Sequence, residues 1–133
     1  MTTDPLADAI AHAQASLPHE ACGFLLAVDG SGAIVATARA DNQSVASDRF
    51  AIAPLQLLAA DAAAASRGLR VVGVYHSHPD GEPVPSPADT EAARQIWRDR
   101  RSWEYVILGV RDGMVTSRAW RFDRGWVSSS GTA

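Results

Sequence analysis

Short apolar runs of strand length, separated by helical segments, constrain the fold of this chain more than any other feature of its sequence. Three runs, at residues 21–28, 71–75 and 105–110, contain no charged side chain, as is typical of strands that are buried on both faces. Such strands need other elements packed on each face of their sheet. We therefore expect an α/β layer fold.

The remaining segments predict the elements around those strands. Polar turns join two pairs of neighbouring strands into hairpins, which makes the sheet mixed. Helical spacing, an initial proline and a terminal glycine mark the helices. We predict a curved mixed sheet flanked by two or three helices. The helices lie at residues 4–16, 54–68 and 87–98, and the added strands lie at residues 33–38, 49–52 and 114–122.

Length and composition limit the class of protein. A chain of 133 residues suits one domain, which we expect at residues 1–127 with a flexible tail at 128–133. The net charge of −3 gives no electrostatic footprint for nucleic acid or an anionic membrane surface. No signal-like or membrane-spanning segment is visible, so we expect a cytoplasmic protein. The single cysteine, Cys22, excludes a disulfide framework and leaves histidines and carboxylates as candidate metal ligands.

The residues that follow the second apolar run predict a metal site. Residues two apart on an extended strand point to one face, so His76 and His78 can aim both imidazoles at one point. The Pro-rich loop at 79–85 can fold back and bring the carboxylate of Asp89 to that point. Two histidines and one carboxylate leave one position of a tetrahedral zinc ion open for water, the pattern of a catalytic site.

A zinc-bound water needs a proton acceptor that is not itself a ligand, and Glu20, before the first apolar run, is the best candidate. Ser86 offers a hydroxyl that can donate to a developing oxyanion. The quartet at residues 86–89 is also a well-formed helix start, with Ser at the N-cap and Asp at N3. Taken alone it favours capping over catalysis. The combination with the two histidines favours the metal site, and Ser86 can serve in both roles.

The spacing of these residues is similar to that of a known family. The family motif is an upstream Glu, then His-x-His, seven residues, Ser, two residues and Asp. It matches Glu20, His76, His78, Ser86 and Asp89. The chain therefore resembles the JAMM (MPN-plus) zinc metallopeptidases, and the small bacterial members in particular, over residues 6–122. Ala27 stands where a glycine is expected, outside the metal set.

The resemblance implies a zinc-dependent peptidase or isopeptidase with one Zn²⁺ per chain. His76, His78 and Asp89 would bind the zinc. Glu20 would take the proton of the attacking water and pass it to the leaving amine, and Ser86 would help to stabilise the tetrahedral intermediate. The implied substrate is a ubiquitin-like or sulfur-carrier β-grasp protein, cleaved after its C-terminal Gly-Gly. In the family a short insertion before the second helix offers a strand edge to this tail, and we place it at residues 43–50.

Three alternatives stay open. The first is a deconjugating enzyme of an antiphage system that uses ubiquitin-like proteins. The second is a non-catalytic MPN scaffold that binds partners, which the intact ligand set disfavours. The third is the DNA-repair-associated branch of the superfamily, whose loop pattern is echoed at residues 78–86 but which the acidic charge and the strand at 22–26 disfavour. The sequence leaves the oligomeric state open and gives no sign of a nucleic-acid or membrane partner.

A basic cluster follows the third predicted helix. Cations are favoured at a helix C-terminus, so a solvated helix end is the plainer interpretation. A rival interpretation has the cluster meet an acidic carrier protein. The cluster consists of Arg94, Arg98, Arg100 and Arg101.

Overall fold

The computed structural model describes residues 4–100 and 102–129. Its single six-stranded sheet has the strand order β2-β1-β3-β4-β5-β6. The helices are α1 (Ala7–Ser16), α2 (Pro54–Ala65) and α3 (Pro87–Gln95), and the strands are β1 (Cys22–Val28), β2 (Ile34–Ala40), β3 (Leu69–Pro79), β4 (Glu104–Arg111), β5 (Met114–Phe122) and β6 (Trp126–Ser128). The predicted mixed sheet with two or three helices is confirmed.

The three apolar runs form the adjacent central strands β1, β3 and β4. β1 and β3 are antiparallel, whereas β3 and β4 are parallel, and α3 lies in the connection that a parallel pair requires. One face of the sheet packs under α1, whose Ala9 and Ala13 are fully buried there. On the other face Val74 packs with Ala64 of α2 and Ala93 of α3. Since side chains alternate along β3, the even-numbered residues after Val74 also point toward α2 and α3.

The predicted edge strand at residues 49–52 is wrong. This segment is irregular, because the side chain of Asn42 takes hydrogen bonds that a neighbouring strand would otherwise make. Its Oδ1 accepts from the backbone N of Ala51 at 3.0 Å, and its Nδ2 donates to the carbonyl of Arg49 at 3.3 Å. A side chain from outside the segment therefore fixes its backbone.

Several element ends also differ from the sequence prediction. The third helix stops at Gln95 rather than residue 98, since the backbone N atoms of Ile96 and Trp97 both donate to the carbonyl of Ala92 and break the regular ladder. β3 continues past the predicted residue 75 to Pro79, because β4 pairs with it along that whole length. The histidines therefore lie on the strand itself rather than after it.

The C-terminal strand overlaps the segment predicted as a tail. Ser128 is the last residue of β6, and the hydroxyl of Ser129 donates to Glu104 Oε2 at 3.3 Å. Residues 130–133 of that predicted tail lie outside the described residues. Among the helices that are described, none is long and apolar enough to cross a membrane.

Candidate metal centre

Two imidazoles converge where β3 leaves the body of the sheet. β3 is paired with β1 on one side and β4 on the other at His76, whose partners are Cys22 and Ile107. His76 is buried and His78 is half-buried. Their Nε2 atoms lie 3.2 Å apart, so the strand period places both rings at one point, as the sequence predicts.

The carboxylate of Asp89 completes a triangle with the two imidazoles. Its Oδ1 lies 3.0 Å from Nε2 of His76, and its Oδ2 lies 3.1 Å from Nε2 of His78. Ligand atoms around a tetrahedral zinc ion stand about 3.3 Å apart. The three donor groups therefore fit one face of such a coordination shell.

A hydrogen bond to the loop sets the tautomer of His78. Its Nδ1 lies 2.9 Å from the carbonyl oxygen of Glu82, which can only accept, so Nδ1 carries the proton. In the neutral ring Nε2 then presents its lone pair toward His76 and Asp89, as a metal ligand requires. Nδ1 of His76 is buried and has no hydrogen-bond partner among the described residues, while the ring stacks on Phe50 at 4.6 Å between centroids.

Asp89 and Glu20 lie close to the same imidazoles but in different environments. Burial alone would raise the pKa of Asp89, but hydrogen bonds to both histidines and to the backbone N of Ser86 bring its pKa well below the ordinary value. Burial, and then the negative charge of Asp89, raise the pKa of Glu20 to about 8. Asp89 therefore stays ionised at neutral pH, whereas Glu20 can hold a proton.

Glu20 is the second carboxylate that faces the two histidines. It is 4% exposed, and its Oε1 has no hydrogen-bond partner in the described part of the chain. One ligand atom each from Glu20, His76 and His78 lies within 4.8 Å of the others. The donor set of imidazoles and carboxylates suits a divalent cation, and either carboxylate is near enough to take part.

Ser86 has the capping role that its sequence context predicts. Its Oγ accepts from the backbone N of Asp89 at 3.2 Å, and the Asp89 side chain accepts from the backbone N of Ser86 at 2.9 Å, which is a reciprocal capping box. This box fixes Asp89 at the third position of α3. The hydroxyl hydrogen of Ser86 is left free to donate elsewhere.

An open cleft of about 450 Å³ lies against this cluster. Two residues of the predicted insertion at 43–50, Ser47 and Asp48, form part of its wall. Three of the five residues predicted from the motif line the cleft, and the other two, His76 and Asp89, contact the ring of His78. Its full lining is Pro18, Glu20, Ser47, Asp48, His78, Pro79, Asp80 and Ser86.

Sequence reasoning missed two residues that hold Glu20 in place. Ser77, between the histidines, is fully buried and points to the opposite face. Its Oγ accepts from the backbone N of Ala21 at 2.8 Å, and its own backbone N donates to the carbonyl of Ala21 at 3.0 Å. Asn42 donates to the carbonyl of Glu20 at 3.0 Å. These contacts join distant segments, so no local pattern predicts them.

The support for the loop between β3 and α3 was also missed. The indole of Trp120 in β5 donates to the carbonyl of Pro83 at 3.0 Å. Gly109 in β4 lies directly beneath the loop, where a Cβ atom would stand 2.6 Å from the carbonyl oxygen of Gly81. A glycine inside a buried strand often marks such a close approach, and this signal was available in the sequence.

The mixed sheet, with two imidazoles and two carboxylates gathered at the exit of its central strand, is a JAB/MPN-like fold. Residues 3–123 match the family of prokaryotic homologs of the JAB domain, and the chain belongs to that family. This confirms the resemblance to small bacterial JAMM-type proteins.

Two named proteins are similar to this chain in sequence. The chain is 36% identical over 110 residues to a desampylase of Haloferax volcanii, an alignment that covers 80% of this chain and 73% of the relative. It is 46% identical over 61 residues to a probable TtuB-protein conjugate cleaving protease of Thermus thermophilus, covering 46% of this chain and 36% of that protein. The similarity to the second relative is therefore confined to part of each chain.

Solved structures share the fold over nearly the full chain. A solution structure from Desulfitobacterium hafniense has a TM-score of 0.82 at 23% identity, and one from Salinibacter ruber has a TM-score of 0.69 at 37% identity. Each alignment covers 97% of this chain and 88% of the other. At 23% identity the first comparison shows the fold alone.

Proposed function

We propose that this protein is a zinc-dependent isopeptidase that cleaves the bond after the C-terminal Gly-Gly of a ubiquitin-like or sulfur-carrier β-grasp protein. The convergence of His76, His78 and Asp89 beside the unpartnered carboxylate of Glu20 is the observation that carries this proposal. The names of the two relatives support it, since one is a desampylase and the other a probable protease that cleaves TtuB-protein conjugates.

His76, His78 and Asp89 are the proposed zinc ligands. Their donor atoms already stand at the separations of one coordination face. The capping box at Ser86 holds the carboxylate, and the carbonyl of Glu82 holds the His78 ring. When bound, zinc would act as a Lewis acid that polarises a carbonyl and makes a water molecule more acidic.

Glu20 is the proposed proton carrier. Its Oε1 is buried without a partner, so it is free to accept a proton from the attacking water and to give it to the leaving amine nitrogen. Asp89 is less suited to this role, because its two oxygens are already engaged by the histidines and by the backbone N of Ser86. The two carboxylates thus divide ligation and proton transfer between them.

Ser86 is the proposed donor to the oxyanion that forms on the scissile carbonyl. Its Oγ is fixed by the backbone N of Asp89, and it lines the cleft that Glu20 and His78 also line. A donor held in place before the reaction stabilises developing charge without reorganisation. The substrate tail would enter along the wall formed by Ser47 and Asp48. Gly-Gly has no side chains, so an extended tail needs little space there.

The decisive experiment combines metal content with cleavage of a defined conjugate. The substrate is a β-grasp protein whose C-terminal Gly-Gly is joined to a lysine Nε of a second protein. The wild type is expected to hold one zinc per chain and to release the intact carrier ending in Gly-Gly. His78→Ala should lose the zinc and the activity, while His19→Ala, an exposed histidine next to Glu20, should keep both.

Glu20→Gln separates ligation from proton transfer. It should keep zinc while the cleavage rate falls by about 10²–10⁴. Loss of zinc in this variant would make Glu20 a ligand, and full activity would remove it as the proton carrier. If the wild type binds the β-grasp protein but never cleaves it, the protein is a binding scaffold.

We propose the reducing cytoplasm as the location of the protein, which suits the single free thiol of Cys22.

A further inference from the structure

A second cavity lies on the sheet away from the catalytic cleft. It has a volume of about 370 Å³ and is bounded by the end of α3, the start of β4 and the turn after β5. Its lining shares no residue with the catalytic cleft. Tyr105 in this cavity lies level with Val74, two residues before His76 on the paired strand. Nothing in the proposed hydrolysis uses this cavity.

Arginines dominate the rim of the cavity. Arg94, Arg98, Arg100 and Arg124 all line it. Within residues 4–100 and 102–129, none of the four makes an ion pair with a carboxylate, whereas Arg39, Arg49, Arg111 and Arg121 each do. One acidic residue, Asp123, shares the rim, so the balance at the cavity is four positive charges to one negative.

The floor of the cavity adds a hydrogen-bond donor. Tyr105 lines the cavity and is 4% exposed. Its hydroxyl has no hydrogen-bond partner among the described residues. Because Tyr105 borders the cavity, its hydroxyl can donate to a ligand held there. Burial raises the pKa of Tyr105 to about 12, so the group stays protonated and can donate.

We propose that this cavity binds a phosphate-bearing small molecule of the nucleoside phosphate class. Guanidinium groups match phosphate oxygens with paired hydrogen bonds, and the Tyr105 hydroxyl would donate from below. Trp97 and Phe122 also line the cavity and offer aromatic surface for a base. The volume of this half-open cavity, about 370 Å³, lies within the range of about 300–1,000 Å³ that small-molecule sites occupy, which favours such a ligand over an extended acidic peptide.

Isothermal titration at low salt tests the proposal with ATP, tripolyphosphate and adenosine as probes. We expect ATP to bind in a one-to-one ratio, tripolyphosphate to bind more weakly, and adenosine alone to bind least. Each rim arginine removed should weaken ATP binding by about tenfold, as expected for a charge-assisted hydrogen bond. Tyr105→Phe, which deletes only the hydroxyl, should weaken binding by a smaller factor.

A matched pair of double variants separates a built site from general attraction. Arg94→Gln with Arg98→Gln should lower ATP affinity by about a hundredfold. Arg67→Gln with Arg118→Gln changes the net charge equally, but neither residue lines the cavity, so its affinity should match the wild type within about twofold. Since oligophosphates also chelate divalent metals, His78→Ala must bind ATP as the wild type does.

Three results would overturn the assignment. The first is the absence of saturation by ATP up to about 1 mM. The second is an equal loss of affinity in both double variants. The third is displacement of ATP by an Asp- and Glu-rich peptide at the same concentration as tripolyphosphate, which would make the cavity a contact for acidic protein segments.

Discussion

At the scale of single residues, the two carboxylates of the candidate metal centre differ through their surroundings. Asp89 is held by two imidazoles and a backbone N–H, so its charge is stabilised. Glu20 is as deeply buried, yet its Oε1 meets no donor in the described chain. Environments that push the pKa values of neighbouring acids apart commonly mark an acid–base assignment. The proposed roles follow from this difference.

Glu20 should make the metal-free protein less stable as the pH rises. Its pKa is raised to about 8 by burial, above the ordinary value near 4.3 for an unfolded chain. Between these values the folded state binds more protons than the unfolded state, so the free energy of unfolding falls with increasing pH. Denaturant unfolding of chelator-treated protein at pH 5, 6.5 and 8, spanning roughly this window, measures the decline.

Glu20→Gln should flatten that decline. Some slope will remain, because burial lowers the pKa of His78 but its hydrogen bonds to Asp89 and Glu82 raise it overall, and stability from a raised histidine pKa is also lost as pH rises. The Asp89 carboxylate adds no slope here, since its lowered pKa acts only in acid. An unchanged slope in Glu20→Gln would mean that Glu20 is ionised throughout.

Site residues are predictable from sequence where the chemistry itself sets their spacing. The two histidines, Asp89, Ser86 and Glu20 are brought together as the motif indicates. Ser77 and Asn42 were not predicted, because their side chains bond backbone groups of segments far along the chain. Their partners are set by the folded sheet, which local patterns do not encode.

At the scale of elements, the apolar runs predicted the buried strands, and the irregular segments were harder. Residues 49–52 have strand-like alternation, yet Asn42 binds their backbone instead. The sequence places the end of α3 three residues too late, because the helical spacing continues into the turn after Gln95. In that turn the backbone N atoms of Ile96 and Trp97 both donate to the carbonyl of Ala92. Neither exception follows from propensity, since each depends on a contact made only after folding.

Gly109→Ala should disturb the loop that joins β3 to α3. The new Cβ would lie 2.6 Å from the carbonyl oxygen of Gly81 and 2.9 Å from the ring and nitrogen of Pro83. Gly81 and Pro83 are themselves part of the loop, and the crowded atoms belong to its backbone and to a rigid proline ring. The loop must therefore move, and Glu82 and Asp89 would move with it. Zinc affinity should fall by about 10–100-fold, as for loss of other outer contacts of metal sites. A competition titration with a chromogenic chelator measures this.

Gly32→Ala is the matched control, since a Cβ there has open space around it. It should leave zinc affinity and thermal stability close to those of the wild type. Trp120→Phe removes the hydrogen bond to Pro83 and keeps an aromatic ring at this position, so it should fall between the two glycine variants. If Gly109→Ala binds zinc as the wild type does, the loop is not held in place by β4.

At the scale of the whole molecule, the proposed zinc would join two elements that the chain leaves separate. His76 and His78 lie on β3, while Asp89 lies on α3 beyond a Pro-rich loop. Removal of the metal should therefore lower the melting temperature. A ligand at 100 times its Kd stabilises the native state by about 2.7 kcal/mol, which corresponds to a shift of roughly 10 °C for a domain of this size. Scanning calorimetry with and without a chelator measures the shift.

His76→Ala should show the same melting temperature with and without the chelator. A chelator effect that persists in this variant would place the stabilising metal elsewhere in the chain. His12→Gln is a suitable control, because His12 contacts Tyr75 on the opposite face of the sheet and should leave the chelator effect intact.

The strand order was beyond the sequence prediction. Two hairpins and a mixed sheet were expected, but the order β2-β1-β3-β4-β5-β6 places β3 between strands from both halves of the chain. Hairpins are local and have turn signatures, whereas the pairing of β1 with β3 spans the whole of α2. Such pairing is decided by the fit of buried faces over long separations, which no short window of sequence contains.

The position of β3 also determines which part of the candidate metal centre opens most readily. Backbone opening is least frequent where a strand is paired on both sides, and more frequent in loops with few partners. The amides of His76 and Ser77 should thus be among the slowest to exchange with deuterium, and those of Glu82 and Val84 in the loop among the fastest. Local opening of the loop would therefore free Asp89 first and leave His76 and His78 in place. The proposed zinc ion could then dissociate and bind again without unfolding of the sheet, so inactivation by loss of metal would be reversible.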